Sequence, residues 1–326
     1  MSLLFYFLLA LFFSFGLSIL ALFLLIPRLR AMRMGQIILE IGPAWHAPKA
    51  GTPTMGGIVF LITTALTVLL LLPLLLRECP WQEVYPLLLS GGFCVANGAV
   101  GIADDLTKLK RHQNEGLSPT QKLILQTVLG AAYLALLRIS GVLGESVFLP
   151  FFGELSLSFG IYFLLLFTVV GIVNCANLTD GIDGLASAVG AVIFAAYAFL
   201  SLSLEETAPA LLSAVLLACA CAFFLFNRHP ARVFMGDTGS LFLGAGVAAA
   251  PLLLARPAIA VIAGAVYVFE GVSVILQVLY YKRTKKRLFL MAPFHHHLEK
   301  CGWSENKIVI TFALVTLLAA ALAVLL

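Results

Sequence analysis

Apolar residues gather along the chain into ten long runs, roughly 3–26, 55–76, 85–103, 119–140, 158–176, 184–204, 208–226, 238–255, 258–281 and 306–326. A helical membrane crossing needs about 20 predominantly apolar residues, and each run is close to that length. None alternates strictly between apolar and polar positions, as the strands of a membrane β-barrel would. No repeat of fixed period is visible. The pattern predicts one all-α integral membrane domain over residues 1–326, with about ten transmembrane helices. Residues 145–158 alternate weakly around Gly153 and predict a small structural hairpin. The first run, Leu3 to Ile26, has no basic residue before it and is longer than a signal-peptide core. It is expected to be a retained helix.

Composition sharpens this picture. Of 326 residues, 61% are hydrophobic and 11% charged, whereas soluble domains carry about 25% charged residues. A water-soluble protein is excluded. Ten spans put both termini on one side and divide the loops into two sets. One holds residues 27–54, 104–118, 177–183, 227–237 and 282–305; the other holds 77–84, 141–157, 205–207 and 256–257. With span ends assigned to the nearer side, the first set carries 17 Lys and Arg residues and the second only Arg77, Arg138 and Arg256. The positive-inside rule places the first set in the cytoplasm and both termini outside.

A second asymmetry is independent of that rule. All five aspartates (Asp104, Asp105, Asp180, Asp183, Asp237) and all six histidines fall on the basic face, while Glu78, Glu83, Glu145, Glu154, Glu205 and Glu206 fall on the other. Topology does not require this; a shared polar site would. The six cysteines have no metal-site spacing and read as buried thiols.

Four segments carry candidate chemistry. Asp104-Asp105 closes the third run in Gly-Ile-Ala-Asp-Asp-Leu-Thr-Lys108, where two adjacent carboxylates near hydrocarbon call for a metal or a lysine. Lys108 is one helical turn on from Asp104; the plainer alternative is a solvated helix end. Asn177-Leu-Thr-Asp180-Gly-Ile-Asp183-Gly184 joins the fifth and sixth runs. Its two aspartates share a face if the turn is helical, or one of them caps the next helix. Asn227 to Ser240 ends in Phe234-Met-Gly-Asp237-Thr-Gly-Ser, a loop with exposed N–H groups entering a helix. It suits an anion, with Asp237 holding the accompanying cation, and Phe234 either stacks on a base or anchors the interface. Pro293-Phe-His295-His296-His297-Leu-Glu299 follows a basic run from Lys282 to Arg287. Adjacent helical histidines point about 100° apart and cannot share one metal, so imidazoles beside phosphates are the better reading.

Smaller features are the Gly/Pro-rich loop from His46 to Gly57, Ser118-Pro-Thr-Gln-Lys122 as a capped helix start, and Glu270 and Gln277 on one side of the ninth run. Carboxylates, cations, histidines and glycine loops at one membrane face are what Mg²⁺-assisted phosphoryl chemistry needs.

These motifs, with Lys49-Ala-Gly-Thr-Pro-Thr-Met-Gly-Gly57, resemble the polyprenyl-phosphate N-acetylhexosamine-1-phosphate transferase superfamily and, within it, the phospho-N-acetylmuramoyl-pentapeptide transferase (MraY) family. The match runs from the first basic-face loop to the last, in order. The resemblance implies a ten-helix fold, usually dimeric, with a cytoplasmic active-site cleft in the bacterial inner membrane. It implies transfer of phospho-MurNAc-pentapeptide from UDP-MurNAc-pentapeptide to undecaprenyl phosphate, releasing UMP and leaving lipid I. By motif, Asp237 is the implied Mg²⁺ ligand, Asp104 or Asp105 engages the lipid phosphate, and His295 is the essential histidine, with His296 and His297 near substrate. Asn177, Asp180, Asp183, Asn227 and Phe234 line the uridine and diphosphate region, and Thr54, Lys108, Lys122 and Gln277 complete the pocket. The implied partners are both substrates, the bilayer and a second copy of the chain; no nucleic acid is expected.

A sister enzyme loading GlcNAc-1-phosphate or another amino sugar-phosphate is the nearest alternative. A transporter is the alternative from another class. It predicts ionisable groups near mid-membrane, where Glu270 is the one acidic residue well inside a run.

Overall fold

The computed structural model describes residues 2–32, 49, 51–111 and 116–326. The expectations placed on His46, on the other loop residues before Gly51 except Lys49, and on His112 fall outside these. In chain order the elements are α1 (Leu3–Ala31), α2 (Ile58–Glu78), α3 (Trp81–Arg111), α4 (Pro119–Ile139), β1 (Ser146–Leu149), β2 (Gly153–Ser156), α5 (Phe159–Thr179), α6 (Leu185–Ser203), α7 (Thr207–Asn227), α8 (Gly236–Leu253), α9 (Ala258–Ala263), α10 (Ala265–Thr284), α11 (Phe294–Lys300) and α12 (Glu305–Leu325).

Among the described residues, nine helices are long and apolar enough to cross a membrane: α1 to α7, α10 and α12. The eighth predicted span is α8, and it differs in kind. Every residue from Thr238 to Leu252 is buried, so α8 is a central post with α3 and α5 packed along it. Gly239, Gly244, Gly246 and its alanines dilute its apolarity because it faces other helices rather than lipid, and small residues let helices approach closely. The ninth predicted span is also not one helix. Gly264 closes α9 and opens α10.

The hairpin expected around Gly153 forms, with Ser146 opposite Ser156 and Leu149 opposite Gly153. Phe148 N–H donates to the Ala255 carbonyl at 2.9 Å, tying the hairpin to the turn after α8. Inside the bundle, Ser14 Oγ donates to Thr67 Oγ1 at 2.9 Å, and Ser18 Oγ donates to Thr63 Oγ1 at 3.2 Å. These hydroxyls join α1 to α2 where water cannot satisfy them.

Gly101 sets how closely α3 passes the start of α8. A methyl group at 101 would overlap the Asp237 carbonyl and the Thr238 amide nitrogen. Overpacking of this kind costs about 1–3 kcal/mol. Gly101→Ala is therefore expected to lower the thermal unfolding midpoint in detergent, measured by fluorescence-detected size exclusion after heating. An unchanged midpoint would show that the two helices are not in this register.

Candidate active site at one end of the bundle

The last turns of α3, the start of α4, the end of α5 and the start of α8 converge on one cluster of charges. Ser118 opens α4 with a capping box: its Oγ accepts from Gln121 N–H, and Gln121 Oε1 accepts from Ser118 N–H. That cap sets the direction of the first turn of α4 and brings Lys122 inward.

Asp104 and Asp105 have different work. Asp105 is buried, and its carboxylate accepts from Asp237 N–H (3.1 Å), Thr238 N–H (3.0 Å) and Thr238 Oγ1–H (2.7 Å). It caps α8 from a neighbouring helix. Asp104 Oδ1 accepts from Leu117 N–H at 2.8 Å, and Oδ2 lies 2.6 Å from Lys108 Nζ, the predicted one-turn pair. With its backbone held by Asp105, Asp237 turns its carboxylate into the cluster. Oδ1 accepts from Asn177 Nδ2 at 3.0 Å, and Oδ2 is 3.0 Å from Lys122 Nζ and 3.1 Å from Lys108 Nζ.

Oxygen atoms of Asp104, Asp105 and Asp237 lie within 4.8 Å of one another. Three carboxylates against two ammonium groups leave one formal negative charge. An all-oxygen set of this kind suits a hard divalent cation such as Mg²⁺.

Asp180 and Asp183 do not share a helical face. α5 ends with Asp180 at its cap, and the next residues form a turn in which Gly184, with φ of 81°, precedes α6. Asp180 is half-buried beside the first cluster. Burial, then the charges of Asp237, Asp105 and Asp183, push its carboxyl up to about 8, against the pull of Lys49. Asp183 belongs to a second cluster. Lys49 Nζ is 2.7 Å from both Asp183 Oδ1 and Glu305 Oε2, and His229 Nδ1 is 3.0 Å from Asp183 Oδ2. Glu305 at the start of α12 also accepts from Asp183 N–H at 2.9 Å. Sequence reading missed Glu305, because an acid in a first turn is ordinary; its pairing with Lys49 is 256 residues distant.

The three adjacent histidines of α11 face three sets of partners. His295 is fully buried, with Nδ1 2.9 Å from Glu270 Oε2 and its N–H donating to Glu270 Oε1 at 3.1 Å. His296 Nδ1 is 2.6 Å from Glu299 Oε2. His297 Nδ1 accepts from Leu290 N–H at 3.2 Å, and Gln277 Oε1 accepts from Phe289 N–H at 2.8 Å. His297 and Gln277 thus brace the loop before α11.

Asn227, expected to line the uridine region, is buried. Its Oδ1 accepts from Gly184 N–H at 3.0 Å and its Nδ2 donates to the Val233 carbonyl at 2.9 Å. It supplies the cap that α6 lacks locally. Phe234 is half-buried, its N–H donating to the Pro53 carbonyl and its carbonyl accepting from Gly56 N–H, both at 2.8 Å. Thr54, on the same loop, lies against Gly236 beside Asp105.

The sequence profile of glycosyl transferase family 4 matches residues 87–255, which carry both Asp104-Asp105 and Asp237. A phospho-N-acetylmuramoyl-pentapeptide-transferase signature matches residues 49–61. Proteins of that name are similar over almost the whole chain. The one from Caldanaerobacter subterraneus is 41% identical, covering 94% of each chain. Those from Limosilactobacillus fermentum and Bacillus cytotoxicus are 42% and 39% identical, covering 93% and 92% of this chain and 92% and 91% of theirs. With its charged cluster inside the matched region and its length shared end to end, this chain belongs to the phospho-N-acetylmuramoyl-pentapeptide transferase family.

Proposed function

We propose that the protein transfers phospho-MurNAc-pentapeptide from UDP-MurNAc-pentapeptide to undecaprenyl phosphate, giving lipid I and UMP, on the cytoplasmic side of a bacterial inner membrane. The observation that carries this is the convergence of Asp104, Asp105 and Asp237 with Lys108 and Lys122 at one end of a membrane bundle. The basic loops favour that end as the cytoplasmic one. Association into a homodimer and a single catalytic domain belong to the same reading.

Asp237, with Asp104 beside it, would hold Mg²⁺, which neutralises charge on the diphosphate oxygens. Lys108 and Lys122, each with three N–H donors, bind phosphate oxygens through the donors not turned to a carboxylate. Asn177 keeps the Asp237 carboxylate oriented. A lipid phosphate has a second pKa of about 6 and is mostly ionised at neutral pH. Its oxygen forms the new bond to the β-phosphorus, while the bond to the bridging oxygen breaks and UMP leaves with the electron pair. A phospho-aspartate route asks for a carboxylate with an open oxygen. Asp105 is occupied by three donors from α8, and Asp104 by Leu117 N–H and Lys108. That occupancy favours direct attack, with Asp104 orienting the lysines.

Purified protein with Mg²⁺ and undecaprenyl phosphate is expected to release UMP from UDP-MurNAc-pentapeptide and not from UDP-GlcNAc, and Asp237→Ala is expected to release none. UMP from UDP-GlcNAc instead would move the activity to the sister transferases, and none from either donor would overturn the reading.

The two adjacent aspartates are expected to separate by readout. Asp105→Ala removes the cap of α8, worth about 1 kcal/mol or more, and lowers the unfolding midpoint. Asp104→Asn keeps the Leu117 contact and the midpoint but loses at least about tenfold in kcat, if orientation of the lysines contributes on the order of 1.4 kcal/mol.

Asp180 gives a pH dependence. Its folded carboxyl holds a proton more tightly than the unfolded one, so its stabilising effect is full in acid and lost as pH rises toward about 8. In metal-free protein, Asp180→Asn is expected to raise the unfolding midpoint above that of the parent, by more at about pH 9 than at about pH 5. Parallel curves would refute the assignment.

A further inference from the structure

Glu270 is a fully buried carboxylate in the body of α10. Its two oxygens are both turned to one residue. Oε1 accepts from the His295 backbone N–H at 3.1 Å, and Oε2 lies 2.9 Å from His295 Nδ1. The pair spans 25 positions and docks α11 onto α10. The large majority of buried polar side-chain atoms have a hydrogen-bond partner, but the buried Nε2 of His295 has none among the described residues. That nitrogen points at Gly181, in the turn between Asp180 and Asp183, and a side chain at 181 would collide with the imidazole edge. The missing side chain thus lets a bare ring nitrogen reach the turn between the two charge clusters.

The chemistry of the pair sets what that nitrogen can bind. A carboxylate accepts and does not donate. Facing one, Nδ1 carries the ring proton, and Nε2 is left as an acceptor. An acceptor does not bind an ionised phosphate oxygen. It needs an O–H or N–H. We infer that Glu270 is a positioning residue that fixes the tautomer of His295, so that Nε2 accepts a hydrogen bond from a hydroxyl or amide group of the nucleotide-sugar donor. The inference rests on the transferase reading for the identity of that donor. On this reading the His295 ring accepts at Nε2 rather than donating to phosphate. The buried, unpaired Nε2 is costly in the free protein, and the incoming donor group relieves that cost.

Nitrogen NMR on protein labelled with ¹⁵N-histidine tests this without relying on turnover, the His295 signals being assigned by their loss in His295→Asn. The expected spectrum has Nδ1 protonated and Nε2 bare. UDP-MurNAc-pentapeptide shifts the Nε2 signal, and undecaprenyl phosphate leaves it in place. In Glu270→Gln, the amide oxygen can keep the backbone N–H while its NH₂ donates to Nδ1, which moves the ring proton to Nε2. An acceptor that has become a buried, mispaired donor is expected to raise KM for the nucleotide-sugar about tenfold or more, with KM for the lipid phosphate unchanged. Glu270→Asp, which keeps an acceptor, is expected to recover part of the loss. A structural role alone would move both KM values together and leave the tautomer as it was. A wild-type His295 protonated at Nε2, or at both nitrogens, overturns the inference, as does a Glu270→Gln protein with unchanged tautomer and KM. If Glu270→Gln does not fold, the wild-type spectrum and its response to each substrate decide. If the wild type releases no UMP, the transferase reading fails, and the tautomer measurement still decides the Glu270–His295 pairing.

Discussion

The contact between the Asp105 carboxylate and the first turn of α8 is the one on which the site depends. A helix begins with N–H groups that have no partner within it. In water they are solvated; here Thr238 is fully buried and water is excluded. Asp105 on α3 satisfies two of these amides and the Thr238 hydroxyl together. The negative charge also meets the positive end of the α8 dipole. One residue thus fixes the depth and rotation of the central helix against α3. Asp237 is the neighbour of Thr238, so the same contact decides where its carboxylate points. Gly101, one turn earlier on α3, allows the approach.

That arrangement creates the next constraint. Three carboxylates within a few ångströms at the edge of hydrocarbon repel one another and lose hydration. Lys108 and Lys122, from α3 and α4, offset part of this. The compensation is incomplete and mobile in character: lysine side chains are long, with rotatable donors. A polyphosphate entering with its cation can reach the lysines without rebuilding any helix. The second cluster is a fastening. Lys49, His229 and an N–H from Ala231 hold Asp183, and Glu305 shares Lys49, which ties the loop before α2 to the start of α12.

Most of the framework was legible in the chain because the bilayer imposes a length on each apolar run. Nine of ten runs became helices long enough to cross, and the hairpin around Gly153 followed from local alternation. The exceptions have physical causes. α8 is sheathed by other helices, so its composition reflects packing of small residues rather than contact with lipid. The run at 258–281 is interrupted at Gly264, which a hydrophobic tally does not register. Within the site, types and neighbourhoods were readable, since Asp, His and Lys at one face have few other uses. Partners were legible only one turn away, as for Asp104 and Lys108. Asp104 and Asp105 are adjacent and look equivalent, yet Asp105 caps a helix whose start lies 132 positions on. Asn227 fastens the turn before α6, 43 positions back, and no local pattern encodes either contact.

Glu270 shows what depth adds to this. A carboxylate in the body of a membrane helix is retained only where something satisfies it, and the satisfying groups here both come from His295. Read from α10 alone, the glutamate suggests an ion path. Read with α11, both of its oxygens are taken by one imidazole residue rather than left open to a path. A transporter would need such a group to change partners during its cycle. A transferase needs the opposite, a ring whose proton stays on one nitrogen while substrates come and go. The geometry around His295 meets the second requirement, and it does so at the turn that joins the two charged clusters.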